Sequence, residues 1–148
     1  MTRGPKSVSV GELVSRAETA VANVKQDYLP FVRTHLANLR MLSEAASDPQ
    51  NENAESAGRW EQLRGAAQDL RSSSATAGYD QLAAVASSLE WLLTEAPGDD
   101  PRIAEVAGLH FDAIWRLVED GAPSISSPEV QTLLSALAKA SNHVTRGR

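Results

Sequence analysis

The sequence predicts an all-α protein, an up-and-down antiparallel four-helix bundle with an additional helix at its N-terminal end. Apolar residues recur at spacings of three and four along most of the chain. Alanine, leucine and glutamate recur throughout while aromatics make up only 5%, a balance that favours helix on local propensity. The breaks between the periodic segments are short, which favours antiparallel neighbours around one core. With 148 residues, 42% of them hydrophobic, the chain suffices for one domain with a real core and does not have a disordered composition.

Residues 1–9 carry no periodic pattern and are expected to be a flexible N-terminus ahead of a single domain over 10–144. The first helix is predicted from Val10 to Tyr28, with Leu13, Ala17, Ala20, Val21 and Val24 as its stripe. Pro30 cannot continue that helix but suits the first turn of another, so a second is predicted from Pro30 to Ala46, with Val32, Leu36, Leu39 and Leu42 inward. Asp48 to Glu55 is polar, contains Pro49 and reads as a loop. A third helix starts near Ser56, carries Trp60, Leu63, Ala67 and Leu70, and closes near Gly78, which can take the left-handed conformation of a helix end. Tyr79 to Glu95 has the strongest pattern, with Leu82, Val85, Ala86, Leu89, Leu92 and Leu93. Ala96 to Asp100 breaks it, and Asp100 before Pro101 reads as a cap with proline in the first turn. The last two helices are predicted over Pro101 to Glu119, with Ile103, Val106, Ala107, Ile114, Leu117 and Val118 as the stripe, and over Pro128 to Val144, with Val130, Leu133, Leu134, Leu137 and Val144, leaving 145–148 as a loose tail.

Several functions are disfavoured at once. Without cysteine there is no structural disulfide, no CxxC redox site and no thiolate zinc site. A net charge of -5 argues against neutralising nucleic-acid phosphates. Arg3 and Lys6 have no apolar stretch behind them, so no secretory signal is expected, and no apolar run is long enough to span a bilayer. A cytoplasmic protein with no membrane contact is the expectation. No cofactor is expected, because glycine-rich phosphate loops are absent. No metal is expected either, because the histidines are not paired at ligand spacing. Ser72, Ser73 and Ser74 lack a base beside them, Asp69 being a poor one, and Trp60, Trp91 and Trp115 read as core or rim packing.

Residues 67–90 run Ala-Gln-Asp-Leu-Arg-Ser-Ser-Ser-Ala-Thr-Ala-Gly-Tyr-Asp-Gln-Leu-Ala-Ala-Val-Ala-Ser-Ser-Leu-Glu. This stretch resembles the signature of histidine-containing phosphotransfer (Hpt) domains of two-component phosphorelays, His-x-Leu-Lys/Arg-Gly followed by small residues, a glycine and a helix ending in Leu-Glu. Leu70, Arg71, Ser73, Ser74, Gly78, Leu82, Leu89 and Glu90 fall where that pattern wants them, and the likeness extends more weakly to residues 109–113 and the N-terminal helices. Two positions depart. Gln68 stands in the histidine's place and Ser72 in that of the glycine four residues on, one turn away on the same face.

The resemblance implies a helical bundle and a partner that is a response-regulator receiver domain or a histidine kinase. The first departure implies that this chain binds without carrying phosphate. Neutral imidazole offers a nucleophilic nitrogen, whereas an amide nitrogen has its lone pair delocalised into the carbonyl. The docking face is expected to comprise Arg64, Gly65, Gln68, Arg71, Ser72 and Ala75, mostly small around Gln68, with Arg71 offering positive charge to an acidic partner. Two other readings compete: a phosphotransfer protein using another histidine, His110 first among them, and a structural or oligomerising bundle. His35 and His110 sit on apolar stripes and read as partly buried, hydrogen-bonded histidines. His143 falls near a helix end, where a cation suits the dipole.

Overall fold

A computed structural model of the chain describes residues 8–47, 53–95 and 101–146. Its regular structure there is entirely helical: α1 (Val10–Ala46), α2 (Asn53–Ala77), α3 (Asp80–Glu95), α4 (Pro101–Glu119) and α5 (Pro128–Arg146). The expected loop shortens at its C-terminal end, because α2 already begins at Asn53. The rest of that loop, Ala96 to Asp100 with the expected Asp100 cap, residues 1–7 and the last two residues lie outside the described residues. Thr145 and Arg146 belong to α5, not to a tail, and the buried Val144 anchors that last turn.

The first two predicted helices are one. α1 runs for 37 residues through Pro30. Proline removes one intrahelical bond, the one Gln26 O would accept, and that loss falls where Gln26 and Pro30 are both exposed and water can take its place. Anchors on either side hold the helix through the defect. Tyr28 Oη lies 2.7 Å from Ser73 Oγ and 2.8 Å from Ser74 Oγ, and Val32, half a turn past Pro30, is fully buried.

Cross-helix bonds fix the topology. Tyr28 meets Ser74, His35 Nε2 lies 3.1 Å from Ala66 O, and Arg59 Nη1 donates to Ala45 O, so α1 and α2 run antiparallel. Arg33 pairs with Glu119 and Arg40 with Asp112, which sets α4 antiparallel to α1. Ser88 meets His110, and Gln81 Nε2 donates to Ala122 O, which sets α3 antiparallel to α4. Helices α1 to α4 therefore close a ring of four around Leu36, Leu39, Leu63, Leu70, Leu82, Leu89, Ile103, Phe111 and Ile114, all buried. The helix outside that ring is at the C-terminal end, not the N-terminal end. α5 packs on α3 and α4 through Val130, Leu137 and Val144, while the expected N-terminal helix is the free half of α1.

Candidate functional site

α2 builds the face that the motif singles out. Trp60, Leu63, Ala67, Leu70 and Ser74 point inward at three- and four-residue spacing and are buried, which turns the opposite side outward. On that side Gln68, Ser72 and Ala75 are exposed, and Arg64, Gly65 and Arg71 are half-buried. A Cβ added at Gly65 would meet open space, so the surface beside Gln68 is low and unobstructed. The structure thus brings all six expected residues to one helix face.

The helix is pinned at its end. Gly78, at φ +88°, closes α2 with Tyr79 N–H donating to Ser74 O and Gly78 N–H to Ala75 O, the paired bonds of a left-handed C-terminal cap. Tyr79 Oη in turn donates to Lys25 O at 2.7 Å, tying the turn to α1, and burial raises its phenol pKa. The serine run has a structural use: Ser73 and Ser74 share hydrogen bonds with the Tyr28 hydroxyl, Ser74 is buried, Ser73 half-buried and Ser72 exposed.

Both arginines of the face already have partners. Arg71 Nε donates to Glu90 Oε2 at 3.1 Å, which gives Glu90 of the Leu-Glu motif its role, while the preceding Leu89 is fully buried. Arg64 pairs with Glu61 one turn back. That hydrogen bond lowers the Glu61 carboxyl and raises the Arg64 guanidinium from their ordinary values. The net field of the face is consequently weaker than Arg64 and Arg71 alone imply. On the α1 rim stands a residue that sequence reading missed. Phe31 is 51% exposed and lies between the contacts that Tyr28 and His35 make with α2. Its place beside the face depends on the continuous α1. Next to it an open groove is lined by Val24, Tyr28, Asp69, Ser72 and Thr76.

The three histidines separate cleanly. His110 is completely buried; its Nδ1 lies 2.8 Å from Val106 O and its Nε2 2.8 Å from Ser88 Oγ. A carbonyl only accepts, so Nδ1 carries the proton and Nε2 accepts from Ser88. Both nitrogens are spent, which removes His110 from the candidates for phosphate acceptance. His35 is half-buried on the Ala66 carbonyl, and His143 is exposed beside Lys139 and Arg146. Among the described residues no cluster of His, Cys, Asp and Glu could hold a metal ion.

A family model described as Hpt domain matches residues 23–140. The chain belongs to the Hpt family. Hpt domains are phosphotransfer carriers of two-component phosphorelays and interact with histidine kinases and response regulators, which sets this helical bundle in that signalling chemistry. No curated protein and no solved structure matches the chain. No described helix is long and apolar enough to cross a membrane. The Hpt match begins at Asn23, so the preceding turns of α1 lie outside it.

Proposed function

We propose that this Hpt domain is a binding module of a cytoplasmic phosphorelay that docks a receiver domain or a histidine kinase through α2 and does not carry phosphate. One observation carries the reading. Gln68, which the motif resemblance puts at the phospho-accepting position, is exposed at the middle of a face of small side chains. A partner's active site can reach it, and it meets an amide that is no nucleophile. The exposed ring of Phe31 adds apolar area beside that face, of the kind that anchors a protein partner. Such a module sequesters a receiver, inhibits a kinase or scaffolds their complex.

The test is a titration with receiver domains, together with transfer of label from the phosphorylated receiver. Wild type is expected to bind and take up no label. Binding weakens with salt and with Arg71→Ala to the extent that Arg71 exchanges Glu90 for an acidic partner group. Gln68→His with Ser72→Gly is expected to accept label, and Gln68→His alone less efficiently. Glycine in a helix interior costs about 1 kcal/mol, which a bundle of this size tolerates. A double variant that folds and binds but takes up no label would show that the docking geometry is not that of phosphotransfer. If wild type is labelled, the acceptor to examine is His143, which stands exposed beside two cationic side chains.

A further inference from the structure

The N-terminal half of α1 stands clear of the bundle. Every residue from Ser9 to Val24 is exposed, including Val10, Leu13, Val14, Val21 and Val24. The segment is nonetheless a properly started helix, with Glu12 N–H donating to Ser9 Oγ at 3.1 Å. Together with Ala17 and Ala20 these residues form one apolar stripe, in rows Val10–Ala17–Val24 and Val14–Val21 at seven-residue spacing. Valine is a modest helix former, and about four turns of helix are marginal in water without tertiary support. Most of the segment precedes the Hpt match at 23, so the family's fold does not account for it.

α2 decides from which direction cover can come. The row Val14, Val21 continues through Tyr28 and His35, and both of these contact α2. Beyond Tyr28 the space in front of the stripe is therefore filled by α2. Before Val24, past the turn at Gly78, no described residue fills it. A helix laid parallel to α1 on this stripe would run into α2, whereas an antiparallel one ends where α2 ends.

We propose that a second copy of this chain covers the stripe, the two N-terminal halves of α1 pairing antiparallel about a two-fold axis at Ala17. The stripe matches itself in that arrangement. Val10 faces Val24 of the other copy, Leu13 faces Val21, Val14 faces Ala20, and Ala17 faces its own counterpart. Large side chains then close both ends, and the alanines let the helix axes approach at the centre. The positive N-terminal end of each α1 arrives beside the C-terminal end of the other copy's α2, a favourable arrangement of helix dipoles. About 22 Å of paired helix buries on the order of 1,000 Å² in total, the low end for specific association, so the dimer is reversible.

Sedimentation of the full chain over a concentration series tests this. The mass is expected to rise from 15.8 kDa toward twice that value. Leu13→Asp and Val21→Asp, both at exposed positions, should leave the cooperative unfolding of the bundle in place, lower the helical circular dichroism by no more than the free half of α1 contributes, and raise the dissociation constant by about tenfold or more. Because the chain has no cysteine, single introduced thiols read the orientation. Under mild oxidation Ala17→Cys should link to itself, Val10→Cys should not, and a mixture of Val10→Cys with Val24→Cys should give the mixed disulfide. A mass of 15.8 kDa at every concentration overturns the proposal. So does self-linking of Val10→Cys as efficient as that of Ala17→Cys, a dimer indifferent to Leu13→Asp and Val21→Asp, or protection of the stripe only when a receiver domain is added.

Discussion

The imidazole of His110 is closed off at both nitrogens, and the glutamine that replaces the expected nucleophile is open to solvent. Depth in the bundle makes that difference, and it has a measurable consequence. Burial, the largest influence, lowers the His110 pKa below its usual 6.5, while the bond to Val106 O opposes the shift. The unfolded chain thus binds a proton that the folded chain refuses. Stability contributed by neutral His110 is present above pH about 6.5 and is lost as pH falls below it. Urea midpoints measured between pH 7.5 and about 5 should fall, and His110→Gln should flatten that part of the profile whatever it does to absolute stability. The sequence placed His110 on an apolar stripe and pointed to partial burial, where the structure buries it completely. The Ser88 partner was not legible, because it lies on another helix and only packing sets it opposite the ring, whereas Val106 lies one turn back on the same helix.

At the scale of elements, α1 is where local and tertiary preferences conflict. Pro30 is a helix stop by its own chemistry, yet the chain stays helical through it because Tyr28 and Val32 are fixed on either side. The defect still costs energy. Pro30→Ala should restore the bond to Gln26 O and stabilise the protein by about 1–3 kcal/mol, the helix gain being offset in part by a looser unfolded chain. Thermal unfolding measures this. A neutral or destabilising result would instead fit a proline sitting in the first turn of a separate helix. α3 and α4 show no such conflict. Their stripes, from Leu82 to Leu93 and from Ile103 to Val118, are buried as their periodicity requires.

For the molecule as a whole, four helices share one core, whose central side chains are closed to solvent. Leu89 is fully buried among them. Leu89→Ala should cost about 2–5 kcal/mol in chemical denaturation, through lost transfer energy and the cavity left behind. That loss should reach the docking face as well. The next residue, Glu90, holds Arg71, so a relaxed α3 should loosen that ion pair and leave Arg71 freer to meet an acidic partner group.

By itself the sequence determined the helical class, the inward stripes of α2 to α5, the Hpt resemblance, and a face with Gln68 at its centre. The class and the stripes follow from periodicity, which acts within a few turns of helix and needs no knowledge of neighbours, while the resemblance and the face rest on the motif of residues 67–90. Only the tertiary structure decided the rest. It carried α1 through its proline and put the extra helix at the C-terminal end. It also set Glu90 on Arg71, stood Phe31 beside the face and sealed His110. Each of these depends on which helix lies opposite, and side chains far apart in sequence meet only once the bundle has closed.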